Sequence, residues 1–202
     1  LDTQVAMPPT LGANYLVSGK VPGPAGTAHQ NMVPYQVFEV APAADGEREH
    51  IILAVGNDGQ FAKFCQVAGR PELASDARFA KNQDRVRNRS VLVPLLETVM
   101  KTRAKADWLR ALEAAKVPCG AINNLAEVFA DPQVRERGMV HQWDHPLAGP
   151  LNLVASPLKL GGTPVRTDAP PPLLGQHTEQ VLAEVLGWDS ERIARLRAQE
   201  VI

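Results

Sequence analysis

Apolar positions along the chain switch between two periods. Tyr35-Gln36-Val37-Phe38-Glu39-Val40 alternates, and His50-Ile51-Ile52-Leu53-Ala54-Val55 is a second β-rich run, with a turn-forming stretch at 42–47 between them. A period of two carried by β-branched and aromatic residues predicts two strands joined as an antiparallel hairpin. Behind Asn57-Asp58, residue types that cap a helix start, Phe61, Phe64, Cys65 and Ala68 recur at helical spacing until Gly69-Arg70-Pro71 stops the run. The next helix is predicted after Asn82, with Val86, Leu92, Val93, Leu96, Val99 and Met100 inward and Arg85, Arg87 and Arg89 toward solvent. Pro94 predicts a break, a kink or a later start within it. The clearest helix is 104–115, where Trp108, Leu109, Leu112 and Ala115 share a face.

The flanks are less regular. Residues 11–17 read as the end of a helix with Gly19 as its C-terminal cap, and 21–34 as a loop rich in proline and glycine. Val117 to Asn123 is a short apolar strand or turn, 125–129 a short helix, and Asp131-Pro132 opens another that runs through Arg137-Gly138. Strands are predicted at 140–143 and 151–154, joined by a turn around Gly149-Pro150. The stretch 156–172 is extended, and helices at 178–186 and 190–199 end the chain. Strands, several helices, two more strands, a long extended connection and two helices make an α+β body plus an arm. A structureless connection of this length suits a chain that leaves one body to pack on another.

Composition narrows the function. The chain has 202 residues, 45% of them hydrophobic, enough for a sizeable core. Lys and Arg total 21 against 22 Asp and Glu, a net charge of -1, so nucleic acid and anionic membrane surfaces are poor partners. No apolar stretch approaches the roughly 20 residues that span a bilayer. Two cysteines, Cys65 and Cys119, without neighbouring ligands predict reduced thiols, a cytoplasmic setting and no metal site. Leu1 is not an initiator residue, and a truncated or processed start is expected.

Candidate chemistry centres on the loop 22–31. Gly23, Gly26 and the small residues Ala25 and Ala28 let backbone N–H groups approach a carboxylate or phosphate, and His29 and Gln30 can hydrogen-bond an acyl group. From the residues alone an ordinary connector and a solvated histidine remain the leading readings. Arg85, Arg87 and Arg89 could meet the phosphates of a ligand, with a solvated helix face ahead of that reading. His50, His141, His145 and His177 read as structural, and Cys119 as a buried, inert thiol. No nucleophile elbow or paired carboxylates occur, so no catalytic residue is assigned.

Several short pieces occur in a specific order: Gly26-Thr27-Ala28-His29-Gln30-Asn31, Pro34-Tyr35-Gln36-Val37-Phe38, Gly69-Arg70-Pro71-Glu72-Leu73, Asp76-Ala77-Arg78-Phe79, Asn82 with Arg85, Val117-Pro118, Asp131-Pro132-Gln133-Val134, Arg137-Gly138-Met139 and Leu174-Gly175-Gln176-His177-Thr178. Together they resemble the C-terminal half of a class III CoA-transferase (the CaiB/BaiF family), which includes formyl-CoA transferase, carnitine CoA-transferase and α-methylacyl-CoA racemase. The resemblance implies three parts. Residues 1–20 would end a large-domain helix, 21–150 would be the small α+β domain, and 151–202 would be an extended connection with helices returning to a large domain missing here. It implies an interlocked homodimer and apolar faces covered by the missing N-terminal half. It also implies CoA transfer between short carboxylic acids through an aspartyl anhydride, a nucleophilic carboxylate mechanism. The aspartate would precede Leu1, leaving this chain inactive alone, with coenzyme A as substrate and no separate cofactor. A glycine-rich loop covers the site in several transferases. Its counterpart is Gly23 to Gln30, which lacks their consecutive glycines. An acyl-CoA racemase fragment and a non-catalytic interaction module are the alternatives.

Overall fold

In the computed structural model, which describes residues 1–202, the two alternating runs pair as expected. Strand β1 (Tyr35–Glu39) lies antiparallel to β2 (His50–Ala54), with Tyr35 opposite Ala54 and Glu39 opposite His50. The apolar stretch after Val117 is a strand, β3 (Cys119–Ile122), antiparallel on the other edge of β2. Alternation buries Phe38, Val40, Ile51, Leu53 and Val55 in the core.

The rest of that core comes from helices. Helix α1 (Asp2–Ala6) and α2 (Pro9–Ser18) bury no residue, and α2 ends at Gly19 in the left-handed conformation (φ 69°). Helix α3 (Asp58–Val67) is capped by the Asn57 side chain, which accepts from the Gln60 N–H at 2.9 Å, and it buries Phe61, Phe64 and Cys65. A short α4 (Glu72–Ser75) buries Leu73. The helix predicted after Asn82 is two helices, α5 (Asn82–Arg87) and α6 (Arg89–Met100). The break falls at Asn88, whose side chain donates to the carbonyls of Arg78 and Asp84. Pro94 sits inside α6 without ending it. It offers no N–H to the Ser90 carbonyl, and both Pro94 and Ser90 are exposed. Helix α7 (Lys105–Ala114) buries Trp108 and Leu112, and the Trp108 indole donates to the Met100 carbonyl at 2.8 Å.

Compactness divides the chain into Leu1–Asn123 and Asn124–Ile202, ahead of the boundary near 150 that the resemblance implies. The second unit contains α8 (Leu125–Ala130), α9 (Pro132–Glu136), β4 (Val140–His145), β5 (Gly149–Val154), α10 (Thr178–Leu186) and α11 (Ser190–Ala198). Strands β4 and β5 form their own two-stranded sheet, with His145 opposite Gly149 and Asp144 opposite Pro150. The predicted turn at Gly149-Pro150 is therefore displaced: the chain reverses at 146–148, where the His145 ring accepts from the Leu147 and Ala148 amides. Pro150 is tolerated because a two-stranded ribbon is all edge. Residues 156–172 carry no helix or strand, as predicted. The fold class is α+β. No helix is long and apolar enough to cross a membrane.

Candidate functional site

The chain leaves α2 through Gly19 and runs to Pro34 as a loop. Residues 21–27 are exposed, while Ala28, His29 and Gln30 are half-buried. A groove of about 630 Å³ opens between this loop and the start of α2 at Thr10 and Leu11, and Gly23, Gly26, His29 and Gln30 all line it. Gly26 holds φ at 58°, a left-handed conformation glycine adopts without strain. The N–H groups of Val21, Gly23, Ala25, Gly26 and Thr27 make no bond within the chain; Ala28 donates to the Ala25 carbonyl. A second cavity of about 680 Å³ shares Gln30 and is bounded by Asn14, Ser18, Lys20, Asn31 and Arg89. No carboxylate lines either cavity, and the cations Lys20 and Arg89 line the second.

His29 is held from several sides. Its N–H donates to the Tyr35 carbonyl at 2.8 Å, and its ring stacks on Tyr35 with centroids 5.2 Å apart. Its Nδ1 accepts from the Asn31 N–H at 3.0 Å, which puts the proton of the neutral ring on Nε2. The Gln30 side-chain oxygen accepts from Asn14 at 3.3 Å. The site can thus offer backbone N–H groups, one imidazole N–H and an amide to an anionic or carbonyl oxygen.

The arginines depart from the sequence expectation. Arg87 is exposed and pairs with Asp84. Arg85, expected on a solvated face, is fully buried: Nε donates to Val33 O at 2.6 Å, Nη1 to Phe79 O at 2.8 Å and Ala80 O at 3.2 Å, and Nη2 to Asp58 at 3.0 Å. Its guanidinium also lies 4.3 Å from the Phe61 ring centre. Arg89 is half-buried and donates to the carbonyls of His29 at 2.6 Å and Gln30 at 2.9 Å. Burying a guanidinium is tolerated here because its donors find acceptors. Partial desolvation works to raise the Asp58 carboxyl, but hydrogen bonds from Arg85 and the Asn82 amide outweigh it and hold the group below its ordinary value. The signal that sequence reading missed was spacing: Asn82, Arg85 and Arg89 recur at three and four residues across the α5–α6 break, while Arg87 is exposed and pairs with Asp84.

Other candidates stay apart from the groove. Burial pushes the Cys65 thiol up to about 12, and Cys119, half-buried rather than buried, is also raised by burial. Both are free thiols. His177 precedes α10 without a side-chain cap bond. A cavity of about 380 Å³ in the second unit is lined by His141, Ser156, Lys159 and Thr167. No group of three or more His, Cys, Asp or Glu side chains gathers to hold a metal ion.

Comparison with known proteins places this architecture. The family described as CoA-transferase family III matches residues 1–178. The chain is 37% identical over 202 residues to human succinyl-CoA:glutarate CoA-transferase, covering all of this chain and 45% of that protein. It is 41% identical over 185 residues to succinate–glutarate CoA-transferase of Agrobacterium fabrum, covering 92% of this chain and 45% of the relative. The crystal structure of a CaiB/BaiF family protein from Brucella suis superposes with a TM-score of 0.70 at 39% identity, covering 91% of this chain and 45% of that one. The chain thus spans less than half the length of these relatives. It belongs to CoA-transferase family III.

Proposed function

We propose that this chain is the C-terminal part of a CoA-transferase that moves CoA between short carboxylic acids, with dicarboxylic acids of the size of succinate and glutarate as the substrate class. The relatives named for those acids support the substrate class. The observation that carries a role for this chain is the convergence of Gly23, Gly26, His29 and Gln30 on one groove free of carboxylates. Anionic acids and a thioester carbonyl need N–H donors and no competing negative charge.

In this reading an aspartate outside these 202 residues attacks the acyl-CoA carbonyl. The C–S bond breaks, CoA leaves as the thiolate, and a mixed anhydride remains on the aspartate. The acceptor carboxylate then attacks the aspartyl carbonyl and displaces the donor acid, giving a second mixed anhydride. The CoA thiolate attacks the acceptor's acyl carbon, which forms the new thioester and frees the aspartate carboxylate. The loop 23–30 supplies backbone N–H groups and the His29 Nε2–H to oxygens that gain charge in these steps. CoA is a substrate, and no separate cofactor takes part. The reading extends to a cytoplasmic homodimer in which the N-terminal half covers apolar surface of this chain. These 202 residues alone are inactive.

The test is the full-length protein incubated with succinyl-CoA and glutarate, with glutaryl-CoA and succinate followed by mass spectrometry. Equal appearance of both supports the reading. No exchange with any short mono- or dicarboxylic acid overturns it. Deuterium uptake from heavy water next to the thioester carbonyl of a branched acyl-CoA, without acid exchange, identifies the racemase instead.

A further inference from the structure

The segment that carries His29 and Gln30 is gripped by side chains of two consecutive helices, Asn82 and Arg85 of α5 and Arg89 at the start of α6. Asn82 donates through its side-chain amide to the Asn31 carbonyl at 2.8 Å and accepts from the Val33 N–H at 3.2 Å. Arg85 holds the Val33 carbonyl, and Arg89 holds the carbonyls of His29 and Gln30. Three side chains at spacing three and four therefore fix backbone groups of four residues between 29 and 33. The grip is itself anchored, because Asp58 accepts from the Asn82 N–H at 2.8 Å as well as from Arg85.

Unlike Arg85, which pairs with Asp58, Arg89 forms no ion pair. Its charge meets only the two carbonyl dipoles, although it borders a polar cavity without a carboxylate. A long cation ordered and partly desolvated for two loop carbonyls costs side-chain entropy and hydration. Packing does not require it, since a loop carbonyl can be hydrated. What the arrangement achieves is direction. With the His29 carbonyl held by Arg89, its N–H by Tyr35 and its Nδ1 by Asn31, the Nε2–H is the one polar group of the residue left for a ligand.

We propose that Arg89 is a positioning residue for CoA transfer: gripping the His29–Gln30 backbone, it aims the His29 Nε2–H and the Gln30 amide into the groove. The proposal rests on the transferase reading above. A donor misplaced by about 1 Å costs on the order of 100-fold in rate when it acts on the transition state. An interaction made only in the transition state leaves ground-state binding of acyl-CoA little changed, so the loss falls on kcat.

The test compares full-length wild type with Arg89→Met, Arg89→Lys and, as a control, Arg87→Met. Hydrogen exchange is read at the His29 and Asn31 amides and at the core amide of Trp108. The expected result for Arg89→Met is faster exchange at 29 and 31 with Trp108 unchanged. Its kcat falls by about 10- to 100-fold with KM for acyl-CoA within about twofold. Arg89→Lys recovers part of kcat because one ammonium can still reach a carbonyl, and Arg87→Met matches wild type. Unchanged exchange at 29 and 31 in both Arg89 variants overturns the proposal. So does faster exchange with wild-type kcat, or a loss of kcat that tracks only the unfolded fraction. If wild type itself transfers no CoA, the transferase reading fails, and with it the catalytic role of Arg89; the exchange data then still report whether the grip exists.

Discussion

The two compact units share local chemistry and differ in what lies beneath it. Eighteen buried side chains form one cluster within Leu1–Asn123, running from Val33 to Val117, whereas Ile193 is the one buried apolar residue of Asn124–Ile202. The second unit has well-formed ends all the same. Asn124 and Glu127 make a reciprocal capping box on α8, Asp131 and Asp189 cap α9 and α11, and Gly187 closes α10 in the left-handed conformation. Its strands are fully paired, yet Leu147 is 78% and Val185 73% exposed. Hydrogen bonds and caps are thus enough to define elements, but each contributes about a kilocalorie or less, and burial supplies the bulk of stability. The candidate groove lies on the first unit, where a core can hold side chains such as Arg85 in fixed directions.

The largest way to sharpen this contrast is Trp108→Ala. It removes a fully buried indole with its hydrogen bond to Met100 and is expected to cost about 3–5 kcal/mol in urea unfolding of the first unit. Arg85→Met comes next. It leaves the Val33 and Phe79 carbonyls unpaired and Asp58 without its buried partner, for an expected loss of about 2–3 kcal/mol, below the fully buried limit because the Asp58 side chain is 40% exposed. Arg87→Met, removing an exposed pair three residues apart, stays within about 0.5 kcal/mol by the same measurement.

Asn124→Ala removes the capping box in the unit without a core. It is expected to cost about 1 kcal/mol locally, read as faster exchange at the amides of α8 with no change at Leu53. Acid gives a further test. Asp58 is held below its ordinary value of 3.8 in the folded chain, so its contribution is fully present above that pH and is lost as pH falls through the lower folded value. Unfolding midpoints followed between pH 5 and pH 2 are expected to fall less steeply in Asp58→Asn than in wild type. The smallest effect belongs to Leu147→Ser on the exposed turn of β4 and β5, expected within about 0.5 kcal/mol.

Most elements were legible because their causes are local. Alternation at 35–40 and 50–55 gave the hairpin, and Asn57 and Gly19 marked helix ends by the groups they satisfy. The split between α5 and α6 was not legible. Pro94 carried the obvious warning, while the break depended on Asn88 reaching the Arg78 carbonyl, ten residues back. The displaced turn has a similar cause: Gly149 and Pro150 read as turn residues, but the His145 ring organises the reversal before them. The four groove residues were found together because they are neighbours in sequence.

What the sequence determined by itself was most of the elements, though not the short helices α1 and α4 or the α5–α6 break, together with the loop 22–31 and, through ordered short motifs, the family. Only the tertiary structure decided that Arg85 is buried and that Arg89 meets the His29 and Gln30 carbonyls, across separations of 52, 60 and 59 residues. The physical reason is that a charge run reads as solvated whenever its acceptors are distant backbone carbonyls. Every residue carries a backbone carbonyl, and no side-chain pattern announces which ones the fold will bring within reach.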